Sequence, residues 1–207
     1  MLHVTTRPVT TRALPPGSPA GAADARAVGS RAARSRAAWH LAAEIVQEVA
    51  GVEVAPTPVR RCRTCGAAGH GKPELPAALA AGLHVSVSTA PGLVAAAVCD
   101  TGPVGVDVES VAAVAAAPVA DVLLHPREPS PADPRALART WVRKEALLKA
   151  TGHGLVVAPS ALVLSAPDEP PALLLAPPHL GPLDDVRLLD VAGLAGGHVA
   201  AVATLAR

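Results

Sequence analysis

The sequence predicts an α+β fold built from two similar lobes. Apolar residues recur at helical spacing over 39–49, and a second helical stripe runs through Trp141, Glu145 and Lys149. Apolar and polar residues alternate over 84–88 and again over 104–109, the mark of half-buried strands. The order strand, helix, strand and hairpin in the first half is answered by strand, helices and strands in the second. A length of 207 residues suits one large domain or two small ones, and the boundary is placed ahead of Val104, giving lobes 1–103 and 104–207.

Along the chain, residues 11–30 are rich in Pro, Gly, Ala, Thr and Arg without periodicity and read as a loose segment. From Ser30 the pattern becomes helical through Trp39, Leu41, Ile45, Val46 and Val49, and Gly51 closes the helix as a C-cap signal. Arg31, Arg34 and Arg36 load its first turns, which opposes the helix dipole but suits a docked anion. In the strand at 84–88, His84, Ser86 and Ser88 share one face, with Val85 and Val87 on the other. The turn Ala90, Pro91, Gly92 then leads into a hairpin partner over 93–98. Residues 112–124 are apolar and read as one helix, ending before His125 and Glu128. After a loop at 129–134, Pro134 stands at the first position of a helix running through Lys149. Strands separated by proline-rich breaks follow at 161–165, 172–175, 186–191 and 198–205.

Composition excludes several classes. A net charge of +1 advertises no nucleic-acid or polyanion surface. No apolar run reaches the roughly 18 residues of a membrane span, and the start shows no signal-peptide pattern. The 3 cysteines are an odd number, against a disulfide framework, so the expectation is a cytoplasmic protein. Phe and Tyr are absent, and Trp39 and Trp141 are the aromatic residues. A core of Ala and Val gains less apolar area per residue, so modest stability is expected.

The chemistry concentrates in two places. Asp107 and Glu109 share a strand face, while Val104, Val106 and Val108 point into a core. On the helix, Trp141, Glu145 and Lys149 form one stripe. Packed together, these elements bring Asp107, Glu109 and Glu145 near one another with Lys149 one turn on. Converging carboxylates repel unless a cation lies between them, and an all-oxygen set favours a hard ion such as Mg²⁺ accompanied by a phosphate-bearing ligand. Alone, either motif is ordinarily a solvated charged face; their joint occurrence is not.

A competing metal reading comes from Cys62 and Cys65, spaced C-x-x-C, and His70. They supply three of the four ligands of a tetrahedral zinc site, leaving Cys99, His84 or a water for the fourth. Plain loop cysteines are the simpler alternative.

Gly105, Val106, Asp107, Val108 and Glu109, and the run from Trp141 through Lys144, Glu145 and Lys149 to Leu155, resemble the two signature motifs of the 4′-phosphopantetheinyl transferase superfamily. Gly71, Lys72 and Pro73, with the strand from Leu83 to Ala90, resemble two further family elements. The length resembles the monomeric, surfactin-synthetase-activating branch rather than the short trimeric holo-acyl-carrier-protein synthases. The resemblance implies two lobes related by a pseudo-twofold, with the active site at their interface. It implies transfer of the phosphopantetheine arm of coenzyme A to a serine of an apo acyl or peptidyl carrier protein, releasing 3′,5′-ADP. Asp107, Glu109 and Glu145 would hold Mg²⁺. Arg31, Lys72, Ser88, Thr89 and Lys149 would hold the coenzyme, with Thr89 standing where the family carries a histidine. Glu128 matches an acidic position near the ion, and the proton acceptor is Glu145, Glu128 or a water on the ion, with Glu145 favoured. The partners implied are carrier proteins, with no nucleic acid or membrane. The alternative is a degenerate, non-catalytic carrier-protein-binding module of the same fold.

Overall fold

The structure, a computed structural model, describes residues 10–14, 30–61, 65–181, 183, 185–194 and 197–205. The fold is mixed α+β, as the patterning predicts. The first half runs β1 (Thr10–Leu14), α1 (Arg31–Ala50), β2 (Val59–Arg61), β3 (Ala68–Glu74), α2 (Pro76–Ala80), β4 (His84–Ala90) and β5 (Leu93–Cys99). The second runs β6 (Val104–Ser110), α3 (Val111–Ala115), α4 (Ala120–Leu123), α5 (Pro134–Thr151), β7 (Val163–Leu164), β8 (Leu173–Leu175), β9 (Val186–Asp190) and β10 (His198–Leu205).

The end signals read from sequence, Gly51 for α1 and Pro134 for α5, stand where expected, and the structure adds a cap at each remaining end. Ser30 caps α1 by accepting from the Ala33 amide, and Gly51 ends it in the left-handed conformation. Asp133 caps α5 through the Ala136 amide, Pro134 opens it, and Gly152 ends it left-handed.

Among the described residues two three-stranded antiparallel sheets form, in the orders β1-β5-β4 and β6-β10-β9, beside the two-stranded pairs β2-β3 and β7-β8. Alternation divides each into two faces. Val85, Val94, Ala96 and Val98 meet the inner stripe of α1, including Trp39, Leu41, Ile45 and Val46. Val199, Ala201 and Ala203 meet α5 through Val142, Ala146, Leu147 and Ala150, with Trp141 packed against that cluster. The remaining faces meet each other: Ala90, Ala95, Ala97 and Cys99 pack on Val104, Val106, Val108, Ala200 and Val202. The order through the molecule is therefore helix, sheet, sheet, helix. Alanine and valine dominate the middle layer, and side chains that short let the two sheets pack closely.

Several elements differ from the sequence reading. The loose segment was expected to include 11–14, yet Thr10–Leu14 is a strand, paired from Thr10↔Val98 to Leu14↔Val94. Its ladder comes from a partner more than eighty residues away along the chain, which no local pattern reports; residues 15–29 lie outside the described residues. The single helix expected over 112–124 is two, α3 and α4, because Pro118 lacks an amide proton and disfavours helical backbone in the residue before it. The strand expected at 161–165 shrinks to Val163–Leu164, since Pro159–Ala161 form a 3-10 turn. The β2–β3 hairpin, which carries Gly71, Lys72 and Pro73, was not foreseen as strand.

Candidate functional site

The site begins with a glycine. A Cβ built on Gly105 would lie 1.9 Å from the Ala146 carbonyl oxygen and 2.5 Å from the Ala150 amide nitrogen. Only a residue without a side chain lets β6 and α5 approach this closely. That approach puts the outward face of β6, with Asp107 and Glu109, against the α5 stripe holding Glu145 and Lys149.

Asp107 is 3% exposed. Its Oδ1 accepts from Lys149 Nζ at 2.6 Å and from Ser88 Oγ at 2.8 Å. Lys149 also donates to the Val106 carbonyl and to Ser88 Oγ, each at 3.1 Å, so its three donors are engaged. The outer edge of β6, which no strand pairs among the described residues, is sealed by side chains instead. Ser86 and Ser88 accept from the amides of Val106 and Val108 at 3.1 and 3.3 Å. Lys72 donates to the Val104 carbonyl at 2.7 Å. Edge groups satisfied in this way are closed to pairing with another chain.

The balance of charge is negative. The carboxyl of Glu109 is pushed up to about 7 by burial, then by the charges of Asp107 and Glu145, against the opposing pull of Lys149 and the Ser110 amide. Burial and Asp107 also raise Glu145, with Lys149 opposing. Both shifts come from desolvated carboxylates sharing a single ammonium.

Two carboxylate oxygens, Asp107 Oδ2 and Glu145 Oε1, are buried with no hydrogen-bond partner. Unpaired hard oxygen donors of this kind fit a hard divalent cation by donor chemistry. The set is not closed, however. Among the described residues no three His, Cys, Asp or Glu side chains are arranged to hold a metal ion. Lys149 meets part of the cationic demand, and Asp107 Oδ1 is taken.

One consequence is measurable on metal-free protein. A carboxylate raised on folding contributes stability below its unfolded value of 4.5, and that contribution is lost as pH rises through about 7. Glu109→Gln is therefore expected to gain stability relative to wild type as pH climbs through this window, read from melting temperatures in chelator. A constant difference across the window would refute the shift.

Other expected site residues fall elsewhere. Glu128 is not among the three carboxylates. Its Oε2 accepts from Lys144 Nζ and the His125 amide, and its Oε1 from the Leu164 amide. A helix turns about 100° per residue, so Lys144 and its partner lie off the stripe carrying Glu145. Arg143, 1% exposed, grips both carboxylate oxygens of Asp190 at 2.9 and 2.8 Å. Thr89 stands on the α1 face of the first sheet, whereas Ser88 faces β6, so the strand separates two residues assigned to one ligand. Arg31 opens α1 and is exposed. Ser86 was placed on the correct face by alternation, but its partner, a backbone amide, left no trace in the sequence.

The zinc alternative finds part of its ligands together. Cys65 Sγ lies 3.3 Å from His70 Nε2, and both residues are exposed. Cys62 lies outside the described residues. Cys99 is buried in the middle core with its thiol against Thr101 Oγ1 at 3.2 Å. Among the described residues, no helix is long and apolar enough to cross a membrane.

Residues 103–201 match the family model of the 4′-phosphopantetheinyl transferase superfamily. The matched stretch takes in Gly105, Asp107, Glu109, Glu145 and Lys149, together with Glu128 and Lys144, and stops short of the first sheet. It supports that superfamily, and a transferase of this kind, for the second half of the chain. No curated protein matches the chain.

Proposed function

We propose that the chain transfers the 4′-phosphopantetheine arm of coenzyme A to a serine hydroxyl of an apo acyl or peptidyl carrier protein, releasing 3′,5′-ADP. The observation that carries this reading is the cluster of Asp107, Glu145, Glu109 and Lys149 between β6 and α5, with Asp107 and Glu145 buried and Glu109 and Lys149 half-buried. In it the chain is a cytoplasmic monomer of two pseudo-twofold lobes, 1–103 on the coenzyme side and 104–207 carrying the acidic motifs, as in the surfactin-synthetase-activating branch.

Asp107, Glu109 and Glu145 would hold Mg²⁺, with Asp107 Oδ2 and Glu145 Oε1 as available oxygens. Bound there, the ion would neutralise charge developing on the 3′,5′-ADP leaving group as the pyrophosphate linkage of coenzyme A breaks. Lys149 would release one of its three present hydrogen bonds to present its ammonium to the phosphate under attack and steady its charge in the transition state. Glu145 takes the serine proton in this reading. Glu128, with both oxygens already accepting, is less suited to that task. Arg31, Lys72 and Thr89 belong to the coenzyme side of this reading.

The test is direct: protein, Mg²⁺, coenzyme A and apo carrier proteins of the fatty-acid, polyketide and peptide-synthetase classes are incubated and weighed by mass spectrometry. A gain of one phosphopantetheinyl group on the carrier serine is expected, and no gain on any class would refute the reading. Asp107→Ala should slow the transfer by at least about 100-fold, the scale of losing a preorganised electrostatic group. A wild-type rate in that variant would remove the carboxylates from the mechanism.

A second reading is a non-catalytic carrier-protein-binding module. It draws on the open ligand set and on Lys149 being held at Asp107. Binding of a carrier protein without any mass gain would favour it.

A further inference from the structure

The resemblance assigns Ser88 to the coenzyme, but its hydrogen bonds assign it to Asp107. We propose that Ser88 is a positioning residue: reaching from the first sheet, it fixes Asp107 and Lys149 against one another and so sets which oxygen of Asp107 stays open. This rests on the proposed metal role of Asp107.

A serine hydroxyl has one proton to give and two lone pairs. The proton goes to Asp107 Oδ1 at 2.8 Å. The lone pairs receive Lys149 Nζ at 3.1 Å and the Val108 amide at 3.3 Å. That exhausts its capacity. To bind a phosphate oxygen, Ser88 would have to withdraw its proton from a buried carboxylate, giving up a charge-assisted bond of the stronger class. The side chain is itself buried, at 8% exposure, and faces β6 rather than solvent.

The effect on Asp107 is to make its two oxygens unequal. Oδ1 is saturated by Ser88 and Lys149, while Oδ2 is buried with no partner. The rotamer that aims Oδ2 is held from both sides, by an element of the first sheet and by α5. A group that orients a ligand in this way changes affinity for the ion, and its loss costs about 10-fold or more.

Mn²⁺ binding to the protein alone, by calorimetry without coenzyme or carrier, separates this role from a grip on the coenzyme. Ser88→Ala should weaken Mn²⁺ about 10-fold and leave KM for coenzyme A within about twofold of wild type. Ser88→Thr, which keeps the hydroxyl, should restore Mn²⁺ affinity. Ser88→Cys is close in shape but a poor donor, so it should behave as the alanine variant does, and it carries the test if Ser88→Ala fails to fold. Unchanged Mn²⁺ affinity with a raised KM for coenzyme A would overturn the proposal and return Ser88 to the phosphate, leaving the metal reading intact. Wild-type protein that takes up no Mn²⁺ would overturn the metal reading, and this proposal with it.

Discussion

Gly105→Ala is expected to destabilise the protein by about 3 kcal/mol or more, at the upper end of overpacking effects. The new methyl would collide with the backbone of α5 at Ala146 and Ala150, not with a side chain that can swing aside. Relief requires the helix to lift from β6 as a body. Lifting it would carry Glu145 and Lys149 away from Asp107, so the Lys149–Asp107 contact at 2.6 Å would be lost together with stability. Urea unfolding should show a lower midpoint at unchanged slope. Transfer activity, assayed well below the new midpoint, should fall as well. A midpoint equal to wild type would mean that the helix does not lie where the structure puts it.

Lys144→Met should be at least as damaging, for an electrostatic reason. Lys144 is fully buried, and its ammonium bonds Glu128 and the carbonyls of Leu123 and Leu162 at 2.7 and 2.9 Å. Burial lowers its proton affinity, and Glu128 acts in the opposite direction. Removing the ammonium leaves the Glu128 carboxylate buried beside two backbone carbonyls that have lost their donor. Breaking one side of such a pair costs about 3–5 kcal/mol. Adding Glu128→Leu should recover part of that loss, because the uncompensated charge goes too. A double-mutant cycle from denaturant midpoints reads the coupling directly. Additive losses would show that the two side chains do not interact. Because the pair also ties α4 and the turn before β7 to α5, the single variant is expected to loosen the segment between the acidic motifs.

The features legible in the sequence were those with a local period. Alternation over 104–109 gave both faces of β6, and helical spacing aligned Trp141, Glu145 and Lys149. Gly51 marked the end of α1 and Pro134 the start of α5. What was hidden depends on partners distant in sequence. β1 has no periodic mark of its own and exists because β5 offers it an edge. Arg143 and Lys144 look like the exposed charges of an ordinary helix, yet both are buried, each satisfied by groups at least sixteen residues away. Glu128 matches by resemblance an acidic position near the ion, and nothing in the local pattern foretells its pairing with Lys144. Thr89 illustrates the opposite case: alternation already set it on the other face from Ser88, and only the resemblance grouped the two.

The scarcity of aromatic residues has an optical consequence. Trp39 lies in the core beneath α1 and Trp141 packs against the core beneath α5. The chain contains no tyrosine, so near-ultraviolet emission comes from one indole in each half with no phenol background. Trp39→Leu and Trp141→Leu would each leave a single native fluorophore reporting on one core. Following the two emissions during unfolding would show whether the halves melt together or in turn.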